Sequence, residues 1–342
     1  MGHILLKNKF FFNHVLSTIS VCFIVLILAG GAAFAQPSSE TLKRVLEAQT
    51  SCGTFVRYDD QNIYLGFGQY QTFIWPRTQV PGKVRIVPLD GSPSRELATH
   101  DGAADIVTVN GHAFILTYSA IEEWDLATNT RVGEYATYET PDAFDFEQAP
   151  AAFARYGNTL IIAHGRLGVS FFDLGTKRIT RQYHVLGFQL PLESMVTAVS
   201  IQGNLAYLAV DDFTLVPDGD PLPFQGVIMI NMDTQAVVNE LGGMTGAAQS
   251  ILTDAKDVLI QFTGQLMWRF DRAALGGSKT PDPLKRIWVW PVDGHPAHGS
   301  FPAMDDKYIY TCYAFTPSSP SDNNGFYRFK PLALNRAQLL LK

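Results

Sequence analysis

The side chains able to do acid–base or metal chemistry in this sequence are few and scattered. His100, His164 and His298, with Asp211 and Glu147, have the types that proton transfer uses. A propeller hydrolase or lyase would need at least three of them to converge on one point. Asp293-Gly294-His295-Pro296-Ala297-His298 spaces two imidazoles as H-x-x-H. Zinc takes three or four ligands at about 2.0–2.2 Å. No helix or cysteine pair stands beside this stretch to supply the rest, so solvated loop histidines are expected and no metal site is assigned. Asp218-Gly219-Asp220 puts two carboxylates together, where calcium takes about six to eight oxygens; a plain acidic turn is expected there. Asp142, Asp145 and Glu147 form a similar group on a connection. No serine nucleophile elbow, phosphate-cradling glycine loop or H-E-x-x-H occurs.

A second set of residues suits recognition. Tyr70, Phe73, Trp75 and Arg77 crowd the connection between Gly66 and Gly82. Asp211 and Asp212 open a second long connection that runs to Gln225, and a third runs from Phe315 to Asn324. Long loops on one end of a rigid scaffold are where binding concentrates. Aromatic rings with polar edges there suit protein, peptide or sugar contacts. Tyr70, Trp75, Arg77 and Asp212 are the expected ligand-binding residues. The competing expectation folds the aromatics back onto sheet edges.

The elements that carry these loops repeat. Ile106–Thr117, Ala152–Ala163 and Ala198–Ala209 align without gaps, each with a turn glycine, Gly111, Gly157 and Gly203, five residues after the first apolar anchor. Glycine tolerates the positive φ that tight hairpins need. Looser copies run Phe55–Gly66, Ile251–Phe262 and Phe301–Cys312. A second hairpin follows most copies. Its first strand ends in Asp or Asn, as at Asp125, Asp173, Asn231 and Asp271, residues that bond the backbone of a tight turn. Each unit therefore reads as four antiparallel strands, a to d. One such sheet cannot bury both faces alone, and radial stacking solves this. The expected fold is an all-β propeller of six four-stranded blades, or seven if a terminal unit is split. A pair of β-sandwiches is the alternative.

Two cysteines lie beyond the apolar run of the N-terminal segment. Cys52 precedes strand a of the first unit and Cys312 ends strand b of the last, which puts both on one face of neighbouring blades in a closed ring. A Cys52–Cys312 disulfide is expected, worth about 4–5 kcal/mol in the loop-entropy account; two free thiols are the alternative.

The units resemble blades of the YVTN and LVIVD type, within the WD40-like and quinoprotein-like propellers. The resemblance rests on the Gly-Asn turns at Gly157-Asn158 and Gly203-Asn204 and on the Asp-Leu pairs at Asp125-Leu126 and Asp173-Leu174. It implies the fold and no activity. The regular tryptophan motifs of quinone-dependent propellers do not occur, so no cofactor is expected.

Residues 1–35 read as a signal peptide. Lys7 and Lys9 start it, an apolar run spans Val15 to Ala35, and Ala33-Phe34-Ala35 gives a small-x-small cleavage pattern. The run is also near the length that spans a bilayer, so a retained anchor is the alternative. Residues 36–52 form a lead segment, with a helical-looking stretch at 38–47, and 53–342 the propeller. The full chain carries a formal charge of −6, and loss of Lys7 and Lys9 makes it more acidic. That disfavours nucleic acid, which needs basic surface. The expectation is a periplasmic or secreted binding or scaffold module for a protein, peptide or glycan, without stable membrane insertion after cleavage.

Overall fold

The structure is a computed structural model. It describes residues 54–68, 81–138, 151–183, 194–212, 226–244, 248–262, 266–277, 279, 281, 283, 285–288, 296–299, 303–304, 309–315, 325–329 and 338–339. The segments at 1–35 and 36–52 lie outside them.

The repeats become antiparallel sheets in which consecutive strands pair in order. Blade 1 holds β1 (Phe55–Tyr58), β2 (Asn62–Phe67), β3 (Gly82–Pro88) and β4 (Arg95–Thr99). Blade 2 holds β5 (Ala103–Val109), β6 (His112–Thr117), β7 (Ile121–Asp125) and β8 (Thr130–Tyr135). Blade 3 holds β9 (Ala152–Tyr156), β10 (Thr159–Ala163), β11 (Val169–Asp173) and β12 (Arg178–Tyr183). Blade 4 holds β13 (Ser194–Gln202), β14 (Leu205–Asp212), β15 (Gly226–Asn231) and β16 (Ala236–Leu241). Blade 5 holds β17 (Ala248–Thr253), β18 (Asp257–Phe262), β19 (Leu266–Asp271) and β20 (Lys285–Trp288).

The chain is an all-β propeller, but with five four-stranded blades, not the six or seven expected from counting repeats. The C-terminal strands are β21 (Pro296–Gly299), β22 (Ala303–Met304), β23 (Ile309–Phe315), β24 (Gly325–Phe329) and β25 (Gln338–Leu339). They form a sheet of a different kind, in the order β21-β23-β24-β25, with β22 pairing separately on β23. Its first strand is broken in two, so Phe301–Cys312 does not reproduce the hairpin of the other units. β22 meets β1 of blade 1.

Alternation along each strand gives each blade two apolar faces, and the blades stack through them. Phe55, Tyr64, Val84 and Ile86 of blade 1 pack on Ala103, Ile115 and Trp124 of blade 2. Phe114, Leu116 and Ile121 of blade 2 pack on Phe153, Leu160 and Phe172 of blade 3. Ile161 and Phe171 of blade 3 meet Leu208, Ile228 and Ile230 of blade 4. Tyr207 and Met229 of blade 4 meet Ile260, Trp268 and Phe270 of blade 5. The first strands of successive blades touch one another, β1 with β5, β5 with β9, β9 with β13 and β13 with β17. They are the inner strands, and the fourth strands β8 and β12 are largely exposed outer edges.

One end of the propeller carries the a–b and c–d turns. Gly111, Gly157 and Gly203 turn with φ of 80°, 56° and 63°, the conformation their spacing predicted. In the c–d turns the carboxylate or amide that ends strand c accepts two backbone N–H groups just beyond it. Asp125 takes those of Ala127 and Thr128, Asp173 those of Gly175 and Thr176, and Asn231 those of Asp233 and Thr234. Asn129, Lys177 and Gln235 follow with positive φ.

Candidate functional site

The other end carries the b–c and d-to-a connections, by the antiparallel order of the strands. Three b–c connections there are short: Tyr118–Ala120 in blade 2, His164–Gly168 in blade 3 and 263–265 in blade 5. Two are long, between Phe67 and Gly82 in blade 1 and between Asp212 and Gly226 in blade 4.

Near this end, buried polar side chains hold segments that belong to other strands. Glu122 of β7 is 1% exposed. One of its oxygens accepts the His100 backbone N–H at 2.8 Å, the other the Trp124 indole N–H at 2.9 Å. Beside it, buried Asp101 accepts the Gly102 N–H, and the Thr99 hydroxyl donates to the Asp101 carbonyl. The link from blade 1 to blade 2 is therefore clamped over residues 99–102, and His100 is exposed at its turn.

The link out of blade 2 is held from blade 3. The Ser170 hydroxyl donates to the Thr137 carbonyl at 2.6 Å. Its oxygen lies 3.0 Å from His164 Nε2, so Nε2 carries the proton in this arrangement. Tyr138 sets its ring edge-on to the imidazole, centroids 5.2 Å apart, and donates to the Leu167 carbonyl. Gly165 and Val196 exchange two backbone hydrogen bonds, tying this turn of blade 3 to the inner strand of blade 4.

Deeper among the inner strands lies Asp105, 0% exposed. Arg57 of β1 grips it at 2.9 Å through Nε and again through Nη2. Asp105 also accepts the N–H groups of Ile106 and Phe153, so one carboxylate joins blades 1, 2 and 3. Burial pushes its pKa above the usual range, against the Arg57 charge and these hydrogen bonds. Glu123, on the blade 2–3 seam, goes the other way. Burial pushes it up, but the bonds from Tyr135 and Lys177 and the charges of Lys177 and His112 together hold it below its ordinary value.

Of the acid–base candidates, His164 is fully buried and His100 is exposed on a separate segment. The backbone of His298 lies in β21, and that of Asp211 stands one residue before the end of β14, opposite Met195. Glu147 lies outside the described residues. Among the described residues no three His, Cys, Asp or Glu side chains group as a metal site would. Of the binding candidates, Asp212 pairs its backbone with Ser194; Tyr70, Trp75 and Arg77 lie outside the described residues, as does Cys52. Cys312 sits in β23 opposite Phe326. Sequence reasoning missed Asp105 and Glu122, the acids that organise this end. Asp105 carried a partial signal, as the one acid in a strand otherwise of Ala, Ile, Val and Thr; Glu122 carried none, since its strand also holds Glu123 and Asp125.

No protein-family description and no curated protein matches this sequence. Solved structures do. The β-propeller domain of Myceliophteria thermophila Cps50 (Swd1) aligns with a TM-score of 0.55 at 13% identity, covering 82% of this chain and 84% of that one. The computationally designed Ika8 protein aligns at 0.45 with 13% identity, over 83% of this chain and 98% of that one. At such identity the likeness to Cps50 speaks for architecture alone, and the architecture it shares with this chain is the β-propeller.

Proposed function

We propose that this chain is an exported propeller of the YVTN/LVIVD kind that binds a protein, peptide or glycan on the end bearing the b–c and d-to-a connections. The observation that carries the reading is the use of buried Glu122, Ser170 and His164 to fix the links at that end. Ionisable and polar groups are costly to bury, and here they hold loops in place rather than strengthen sheets. Sites work when a rigid scaffold sets the first contacts in advance. Tyr70, Trp75, Arg77 and Asp212 supply the contacts, and His100 joins them from its clamped turn.

The test compares the two ends. Partners cross-linked to the purified mature protein are identified, then measured again with Y70A/W75A and D212A and with a change on the opposite turns, N129A. Loss of binding in the first two alone supports the reading. Binding that survives them and fails with N129A overturns it.

Export supplies the context. In this reading residues 1–35 are removed after Ala35 and the mature chain enters the periplasm or the medium. Mass spectrometry of the mature protein would then find Gln36 first; a chain that still starts at Met1 overturns it. In that oxidising setting Cys52 and Cys312 form the disulfide that latches the ring. Alkylation of both thiols only after reduction supports the latch, and alkylation without reduction removes it.

A further inference from the structure

The outer strands β8, β12 and β16 share one irregularity. Each pairs with strand c of its own blade in one register near the c–d turn and, farther on, in a register displaced by one residue. The residue left over is Val132, Thr180 or Val238, in each case seven positions after the Asp125, Asp173 or Asn231 that closes strand c. Each is a β-bulge, an extra residue on one strand with none opposite it. Val132 and Val238 are each 52% exposed, the two large apolar side chains most open to water among the described residues. Thr180 is exposed as well, and its hydroxyl donates to the Phe171 carbonyl.

The seams between blades do not need the extra residue. In blade 4, Val237 packs on the core between blades 3 and 4, while Asn239 donates to the Leu275 and Gly277 carbonyls of blade 5. In blade 3, Ile179 packs on the core between blades 2 and 3, and Arg181 donates to the Thr234 carbonyl of blade 4. Residues two apart in a regular strand share a face, and here the bulge parts them. A strand one residue shorter would make the same two side chains neighbours on opposite faces. It would also keep the pairs Met229↔Asn239 and Ile230↔Val237, or Phe171↔Arg181 and Phe172↔Ile179.

What the bulge changes is the free edge. An outer strand turns a row of backbone N–H and C=O groups outward, and another strand can add to that row unless a bulge, a charge or a cover blunts it. β4 and β20 pair in unbroken register. They carry charge instead, Arg95 and Glu96 in one, Lys285 and Arg286 in the other. β8 combines its bulge with Arg131 and Glu134, and β12 with Arg178 and Arg181. β16 has its bulge and a single charged residue, Glu240.

We propose that the bulges make the rim of this propeller refuse strand addition by a second copy of the chain, and that β16 depends on its bulge most. Two copies of an unbroken β16 would pair antiparallel about a two-fold axis. Val238 prevents this by setting one residue out of step in the middle of the row.

Deletion of Val238 tests this on the purified protein. The variant should keep a cooperative thermal melt, and in sedimentation equilibrium its mass should double with rising concentration. The wild type and Val238→Thr, which keeps the bulge, should hold a constant mass over the same range. Hydrogen exchange should show the β16 amides slowed in the concentrated deletion variant. Deletion of Val132, on the more charged β8, should give a dimer at least tenfold weaker. Three results overturn the proposal. The Val238 deletion variant may melt cooperatively and match the wild-type mass at every concentration. It may dimerise with β16 amides that exchange as fast as in the monomer. Or both deletions may abolish the cooperative melt, which assigns the extra residue to the folding of its own blade.

Discussion

The two ends of this propeller solve the same problem by opposite means. At the turn end, the side chains that close strand c serve their own turn: Asp125, Asp173 and Asn231 each cap the backbone two and three residues on, and the cross-blade bonds there, such as Arg95 to Asn129 and Tyr156 to Asp233, join partly exposed groups. Toward the connection end, the polar side chains are buried and serve other segments: Glu122 holds His100, Ser170 holds Thr137, and Asp105 holds Arg57 and Phe153. A turn that is self-sufficient tolerates change in its surroundings. A connection held from a neighbouring strand or blade is defined only when the whole assembly is in place. Substitutions toward the connection end should therefore cost more than those at the turns.

Asp105→Ala should have the largest effect. It leaves the Arg57 guanidinium without its carboxylate and the Phe153 N–H without its acceptor. Breaking one partner of a buried pair costs about 3–5 kcal/mol. The urea midpoint should fall accordingly with the slope unchanged; a loss below about 1 kcal/mol would show that the inner strands do not depend on this carboxylate. His164→Ala comes next. It removes a buried ring packed on Tyr138 and the proton donated to Ser170, at about 2–3 kcal/mol. The same denaturation measurement checks it, and an unchanged midpoint would break the comparison.

The ends should also part in their dependence on pH. Hydrogen bonds from Thr176 and its neighbours hold Asp173 below the ordinary carboxylate range, and those from Thr128 and Ala127 do the same for Asp125. A depressed folded pKa gives stability that is present above the unfolded value, about 3.9 for Asp, and is lost as pH falls through the folded one. Asp105 is raised by burial, so its contribution is fullest below the unfolded value and is lost as pH rises through the folded one. Asp173→Asn should flatten the loss of stability that sets in as pH falls below about 4. Asp105→Asn should instead remove a decline that sets in as pH rises above about 4. Thermal melts across that range, compared with the wild type, check both signs.

Much of the turn end was legible in the sequence, because its interactions are local. A glycine five residues past an apolar anchor and an Asp or Asn closing strand c each specify a turn within a few residues. The blade count failed where locality failed. Phe301–Cys312 has the composition of another hairpin, yet its first strand is split between β21 and β22, a pairing set by β23 and not by the residues between. The connection end was hidden for the same reason. Glu122 and Asp105 differ from a surface acid only in what surrounds them, and their partners lie 22 and 48 residues away in the chain. His164 attracted a catalytic expectation from its type and its place at the end of a strand. Burial against Ser170 and Tyr138 gives it a positioning role toward the link out of blade 2.

The smallest effect should come from the turn end and have the opposite sign. Gln235 holds φ at 52° in the c–d turn of blade 4, a region where a side chain is strained and glycine is at ease. Its main-chain carbonyl accepts the Tyr183 hydroxyl across the blade 3–4 seam, and Gln235→Gly keeps that carbonyl. The relief of strain exceeds the added freedom of the unfolded chain, for a net gain of about 0.5 kcal/mol. A melting temperature that rises by one or two degrees fits a turn whose geometry is locally fixed. A fall would mean that the Gln235 side chain contributes to the seam, and the turn end would then depend on its neighbours as the connection end does.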